Sequence, residues 1–240
     1  MPHPYSNYTK DPAWDDEKKI DSREQGIILS YHESFGRDSI PADKQYWTMC
    51  GAYFNETTKE KLHGELGQLT DVGLIQKRQF HGVDREEVTI KKNLEAYPDI
   101  NWHHGDFKEV MGQSAYENRF NPAIINYDGV MQPEFGAKYL KSIMKFVDHN
   151  VKDELMLVAN FVLRNPYRGA VRFEGGDVLE ELKTIYLFPD HWTLKPQFYG
   201  YNGAGKRSHT RMGMFVFLKS KHESIAYTKG KLLTGVVNEQ

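Results

Sequence analysis

Apolar positions along this chain keep two alternating rhythms. Gln45-Tyr-Trp-Thr-Met-Cys50 is rich in β-forming residues and stops at Gly51, which predicts a strand. From Thr57 to Leu74, Leu62, Leu66, Leu69 and Val72 or Gly73 fall three and four residues apart, the spacing of one helix face. Gln79 to Val83 predicts a second strand ending at Asp84. Arg85 to Tyr97 predicts a second helix, with Val88, Ile90 and Leu94 inward and Pro98 as its stop. Asp99 to His104 reads as a third strand. Pro122-Ala-Ile-Ile-Asn126 reads as a fourth, its short apolar run being that of a strand covered on both faces. Phe135 to Val147 carries a helical stripe of Phe135, Tyr139, Ile143, Met144 and Val147. Glu154 to Leu163 is the fifth and most apolar strand. Asp177 to Leu187 follows Gly175-Gly176 as a helix with Asp177 in the N-cap position. Trp192 to Tyr201 and Met212 to Lys219 close the pattern as two successive strands joined by a polar, glycine-rich loop.

Alternating strands and helices imply parallel strands with crossover helices on both faces, and two strands joined by a short loop imply an antiparallel hairpin. The expected fold is therefore α/β, a three-layer sandwich around a mostly parallel seven-stranded sheet whose last strand is antiparallel. Val83, Ile124, Ile125, Leu157 and Val158 should lie buried in its middle. Such sheets bind ligands beyond the carboxyl ends of their strands. Residues 45–240 form the expected domain. Residues 1–44 differ from it: three of the ten prolines precede Trp14, and the charged run Asp15-Asp16-Glu17-Lys18-Lys19 follows. They read as an N-terminal arm followed by a short helix or strand, near Gln25 to Phe35, packed on the domain.

Composition narrows the class. Of 240 residues, 39% are hydrophobic and 13% aromatic, and the net charge is -2, which excludes disorder as the main state. The richest apolar stretch, Leu155 to Leu163, is far short of the roughly 20 residues a spanning helix needs. Met1 to Lys10 is polar and carries no apolar signal segment, so the expectation is a cytoplasmic protein without a membrane partner. A single cysteine, Cys50, excludes an internal disulfide and a zinc site built on several cysteines. The near-neutral balance argues against coating by nucleic acid.

The turns after the first four strands would meet in one crevice. They are Cys50-Gly51-Ala52, Asp84-Arg85, Gly105-Asp106-Phe107 and Asn126-Tyr127-Asp128-Gly129. Together they supply a glycine for close backbone approach, carboxylates and aromatic faces. This set, with the strand order, resembles the Rossmann-like (class I) S-adenosylmethionine-dependent methyltransferases over about residues 45–219. The resemblance implies that Asp84, after Val83, holds the ribose hydroxyls, with Arg85 beside it. It implies that Asp106 and Phe107 hold the adenine, that Cys50 and Gly51 approach the cofactor, and that Asn126, Tyr127 and Asp128 stand near the reactive methyl. A carboxylate can accept both hydrogen bonds of a ribose diol, and a ring can cover an adenine face. The first turn departs from the family pattern GxGxG. It reads Gly51-Ala-Tyr-Phe-Asn55, with Tyr53 and Phe54 where the cofactor's amino-acid end would lie. The implied cofactor is S-adenosylmethionine; the methyl acceptor, a small molecule or a nucleic acid, is not readable. The alternative is a non-catalytic Rossmann-like binding or partner module that has lost the cofactor. Asp84 and Asp106 also suit ordinary helix N-caps, Asn126-Tyr-Asp-Gly129 an ordinary turn, and Cys50 a small buried side chain.

Other motifs carry less. Gly200 to Lys206 nearly matches a phosphate-binding loop, but Arg207 replaces the magnesium-binding hydroxyl and a strand follows where a helix is needed. The same loop is basic, with Lys206, Arg207, His209 and Arg211 near Tyr199 and Tyr201. The hairpin at 203–211 is thus a candidate nucleic-acid contact or simply a solvated turn. His103 and His104 are adjacent on a strand and point to opposite faces, so no metal site is expected there. Asn165-Pro-Tyr167 resembles the motif of base amino-methyltransferases but follows the fifth strand, not the fourth. A nicotinamide-dependent oxidoreductase would need GxGxxG after the first strand, and a serine hydrolase GxSxG; both are missing.

Overall fold

The structure is a computed structural model that describes residues 17–54, 61–129, 133–162, 190–202 and 211–221. The chain enters as a continuous helical segment made of α1 (Glu17–Arg23), a π-helical turn (Glu24–Leu29) and α2 (Ser30–Phe35). This helix begins earlier than the element expected near Gln25. Gly36 ends it at φ 62, a left-handed conformation that glycine adopts without steric cost. Ile27 and Tyr31 are its buried stripe.

Seven strands follow: β1 (Gln45–Met49), β2 (Phe80–Asp84), β3 (Asn101–His104), β4 (Pro122–Asp128), β5 (Leu155–Val162), β6 (Trp192–Asn202) and β7 (Arg211–Lys219). They form one sheet in the order β3-β2-β1-β4-β5-β7-β6. β7 runs antiparallel to both its neighbours, and the first five strands are parallel. The order reverses between β1 and β4, so their carboxyl ends flank the topological switch point. Val83 is 2% exposed, and Ile124, Ile125, Leu157 and Val158 are fully buried, as strands covered on both faces require.

Helices cover both sides. On one side lie the N-terminal helix, α3 (Gly64–Asp71) and α4 (Glu87–Ala96). Their Ile27, Leu66, Leu69 and Ile90 pack with Tyr46, Phe80, Ile124 and Val158 of the sheet. On the other lie α5 (Phe107–Tyr116) and α6 (Pro133–Asn150). Their Phe107, Met111, Leu140, Ile143 and Val147 pack with Trp47, Ile125, Tyr127 and Leu157. The three-layer α/β reading holds, and the fold is that of the Rossmann-like methyltransferases.

Several element assignments change. The helix expected from Thr57 to Leu74 is only Gly64–Asp71 among the described residues; Val72 is 53% exposed, and Gly73, at φ 76, turns the chain away. In α4, Val88 and Leu94 are exposed, while Ile90, Asn93 and Ala96 face inward. The cause is that Asn93, a polar residue, takes the inward position through hydrogen bonds to the turn after β1. The helix α5 had no counterpart in the pattern, because its short stripe of Phe107, Met111 and Ser114 mixes apolar and polar residues. The helix expected at Asp177–Leu187, Asn165-Pro-Tyr167 and the loop at 203–210 lie outside the described residues. Among the described residues no helix is long and apolar enough to cross a membrane.

Candidate functional site

The side-chain period of a strand is two, so consecutive residues face opposite sides. At the end of β4 this separates Asn126 and Asp128 from Tyr127. Asn126 and Asp128 share the α3 face with Ile124, and Tyr127 shares the α6 face with Ile125. Contacts divide the other turns between the same two sides. Cys50, Gly51, Asp84, Asn126 and Asp128 belong to the α3–α4 side, whereas Arg85, Asp106, Phe107 and Tyr127 belong to the α5–α6 side.

On the first side, a crevice at the switch point is lined by Gly51, Glu65, Asn126, Asp128 and Asn160, and by Lys19 and Arg23 of α1. Its inner space is about 40 Å³, little more than the roughly 30 Å³ share of one liquid water. A chain of hydrogen bonds crosses its floor. Tyr46 donates its hydroxyl to Glu65. Asn126 Nδ2 donates to both Glu65 oxygens at 3.2 Å. Asn160 Nδ2 donates to Asn126 Oδ1 at 3.0 Å. Asp128 stands directly across from Asn160 in the β4–β5 register. Burial pushes the Asp128 carboxyl up, and the neighbouring Glu65 adds to this against the pull of Lys19 and Arg23.

Asp84 lies at the end of β2 on the same side. Its Oδ1 accepts the Glu86 backbone N–H at 2.8 Å. Burial raises its pKa to about 6. Its charge reaches Cys50, whose thiol is pushed well up, first by burial and then by Asp84 and Glu65. Cys50 is 8% exposed and packs as a core side chain.

The turn after β1 is held from outside by Asn93 of α4. Asn93 Oδ1 accepts the Tyr53 N–H at 2.7 Å, and its Nδ2 donates to the Gly51 carbonyl at 2.9 Å. Tyr53 is turned inward, edge-on to Phe80 and Tyr97 and tilted against Trp102. Side-chain hydrogen bonds thus fix a turn that the family pattern would build from glycines.

On the second side, Asp106 is the N-cap of α5. Its Oδ1 accepts from Lys108 N at 3.0 Å, Glu109 N at 3.4 Å and the Tyr139 hydroxyl at 2.9 Å, and its Oδ2 is paired with Arg85. Burial would raise this carboxyl, but Arg85, Tyr139 and the Glu109 amide more than offset it and hold it below its ordinary value. Phe107 is 2% exposed and lies in the core near Tyr127, so no ring face is open to the crevice. Tyr127 stacks on Tyr139, and burial raises its hydroxyl to about 12. His103 pairs with His81 at 3.1 Å on this side, while His104 reaches the Arg85 carbonyl at 3.0 Å.

Two residues that line the crevice, Glu65 and Asn160, and one that braces its first turn, Asn93, stood outside the sequence reading. Glu65 lay within a stretch read only as a helix face. Asn93 had the signal of a polar residue on the inward side of an amphipathic helix. Asn160 had a clearer one, a lone amide in the most apolar strand.

A scan of protein-family models finds none that matches the chain, and no curated protein matches it. Solved structures do. The plantazolicin methyltransferase BamL, solved with a triazolic desmethylPZN analog and SAH, is 9% identical with a TM-score of 0.50, covering 87% of each chain. A protein from Streptococcus mutans, provisionally assigned as a SAM-dependent methyltransferase, is 9% identical at TM-score 0.47, covering 82% of this chain and 48% of its own. The bifunctional kinase-methyltransferase WbdD is 15% identical at 0.46, covering 88% and 40%. The chain thus spans about half the length of the Streptococcus mutans protein and less of WbdD. At these identities the likeness concerns the fold alone.

Proposed function

We propose that this chain binds S-adenosylmethionine at the carboxyl edge of its sheet and acts as a methyltransferase. The observation that carries the reading is the acceptor-rich crevice at the β1–β4 switch point, with a carboxylate, Asp84, ending the neighbouring β2 on the same side. A ligand with a ribose diol and two cationic centres, a sulfonium and an ammonium, suits that chemistry. The residues fit the cofactor in this sense: Asp84 would hold the ribose, while Glu65, Asn126, Asp128 and Asn160 would face its cationic end. When bound, the cofactor supplies an electrophilic methyl group.

The work of the chain's own residues is positioning. Asn126, locked between Glu65 and Asn160, gives the floor one fixed orientation. Asp128, with its raised pKa, is the group suited to hold a proton from an acceptor. Asp106 plays no direct part, since its acceptors serve the α5 cap, Tyr139 and Arg85. With an inner space of about 40 Å³, the nucleoside would lie outside the crevice, beside Asp84 at the end of β2, or α1 would shift outward.

One feature favours the alternative of a binding or partner module without the cofactor. Asn93 already occupies the Gly51 carbonyl and the Tyr53 N–H, groups that a cofactor-binding turn would offer its ligand. Calorimetric titration with S-adenosylmethionine, S-adenosylhomocysteine and NAD decides between them. The proposed function expects saturable binding of the first two and none of NAD. Absence of all three leaves the binding-module reading.

A further inference from the structure

The hydrogen-bond chain on the crevice floor has a direction, and the direction leaves something over. Glu65 is a carboxylate that receives the Tyr46 hydroxyl and so accepts rather than donates. Only the amide nitrogen of Asn126 can therefore face it, which turns Asn126 Oδ1 toward β5. Only the amide nitrogen of Asn160 can face that oxygen in turn. Asn160 Oδ1 is then forced to the remaining side, where it is buried and has no hydrogen-bond partner. Rotating the Asn160 amide would set oxygen against oxygen, so the orphan acceptor is not relieved among the described residues.

A buried acceptor without a donor is costly, and native proteins leave few of them. Asn160 is 2% exposed, lines the crevice, and lies across from Asp128. Lys19 and Arg23 line the same crevice, yet neither supplies the missing bond. The inner space of about 40 Å³ has room for one small group.

We propose that this floor is a subsite for a nitrogen that donates hydrogen bonds, an amine or ammonium group, received by Asn160 Oδ1 and the Asp128 carboxylate. The subsite stands on the geometry alone; the source of the nitrogen rests on the proposed function. β5 lies three strand positions from β2, about 14 Å at the usual strand spacing. A nucleoside seated at Asp84 would thus bring its reacting end, and not its base, toward Asn160. The nitrogen then belongs either to the methyl acceptor, which would be an amine, or to the amino-acid end of the cofactor. With its hydrogens drawn to Asn160 and Asp128, an acceptor amine would keep its lone pair directed away from the floor, free for reaction.

Ammonium and potassium ions test the subsite, since they share a charge and nearly a size but only ammonium has N–H donors. In the unmodified protein, ammonium should raise the melting temperature more than potassium at equal ionic strength, and should shift the Asn160 side-chain amide resonances. Asn160→Val should erase the difference. Equal effects of the two ions, or a difference that survives in Asn160→Val, overturn the subsite; if that variant does not fold, the resonance shift in the unmodified protein decides its place. A second arm compares S-adenosylhomocysteine with methylthioadenosine, which lacks the amino-acid end. A preference for the former of about tenfold or more, lost in Asn160→Val, assigns the nitrogen to the cofactor. Equal affinities, with the ammonium effect kept in the nucleoside-loaded protein, assign it to the acceptor. An ammonium effect without nucleoside binding sinks the proposed function and leaves the subsite standing.

Discussion

The side-chain oxygen of Asn93 accepts the backbone N–H of Tyr53 at 2.7 Å, tying α4 to a turn 40 residues earlier. The same amide holds the Gly51 carbonyl, so one buried side chain sets the conformation of the turn after β1. Asn93→Ala should leave both backbone groups unpaired in a buried setting. At about 1 to 3 kcal/mol for each of the two unsatisfied groups, the loss should be about 2 to 6 kcal/mol, read by urea denaturation. A loss below about 0.5 kcal/mol, the range of an ordinary surface change, would show that the turn holds itself.

Gly82 illustrates a tighter constraint. A Cβ there would stand 2.4 Å from the Trp102 ring and 3.1 Å from Cys50 Sγ. Gly82→Ala must push the indole off β2, which should destabilise the fold by about 1 to 3 kcal/mol. Near-UV circular dichroism should report the altered tryptophan environment in the same variant.

Asp84 makes two predictions with one pKa. Its folded value of about 6 exceeds its ordinary 3.8 because of burial. The folded state therefore holds this proton more tightly than the unfolded chain. The stability that protonation contributes is present below about pH 3.8 and is lost as pH rises through about 6. Asp84→Asn should lack that dependence. The same substitution removes a charged acceptor, a change worth about 1.5 to 3 kcal/mol. Binding of S-adenosylmethionine should weaken about tenfold or more, and binding by the unmodified protein should weaken as pH falls below about 6. Unchanged affinity in Asp84→Asn removes the ribose role.

His81 has the opposite sign. Burial, then His103 and Arg119, lower its pKa from 6.5 to about 3. The unfolded chain takes up this proton first, so stability declines as pH drops from about 6.5 toward 3. His81→Phe keeps a ring stacked on Trp47, which His81 meets at 4.5 Å. That variant should lose less stability than the unmodified protein between about pH 7 and 4, measured by denaturant titration at each pH. Parallel profiles for the two proteins would show that His81 titrates normally in the fold.

The parts legible in the sequence are those with a local cause. Ile124, Ile125, Leu157 and Val158 lie in apolar runs, and such runs announce strands covered on both sides whatever surrounds them. The breaks after β1 and β3 follow from Gly51 and Gly105. The helix α5 was not legible, because its inward face mixes Ser114 with Phe107 and Met111. The facing of α4 was not legible either, since Val88 and Leu94 are as apolar as Ile90. What turned them outward was Asn93, whose partners lie in another part of the chain.

The chain's own pattern therefore determined the alternation of strands and helices, the layers and the set of turns at the carboxyl edge, because periodicity and turn chemistry act within a few residues. It could not determine which of those turn residues share a side. Only the tertiary structure decided that Asn126 and Asp128 face Glu65 and Asn160 while Tyr127, Asp106 and Phe107 turn to the other layer. The physical reason is that hydrogen-bond direction propagates through space, from Glu65 of α3 to Asn126 of β4 to Asn160 of β5. The unpaired oxygen at its end exists only once three distant segments have met.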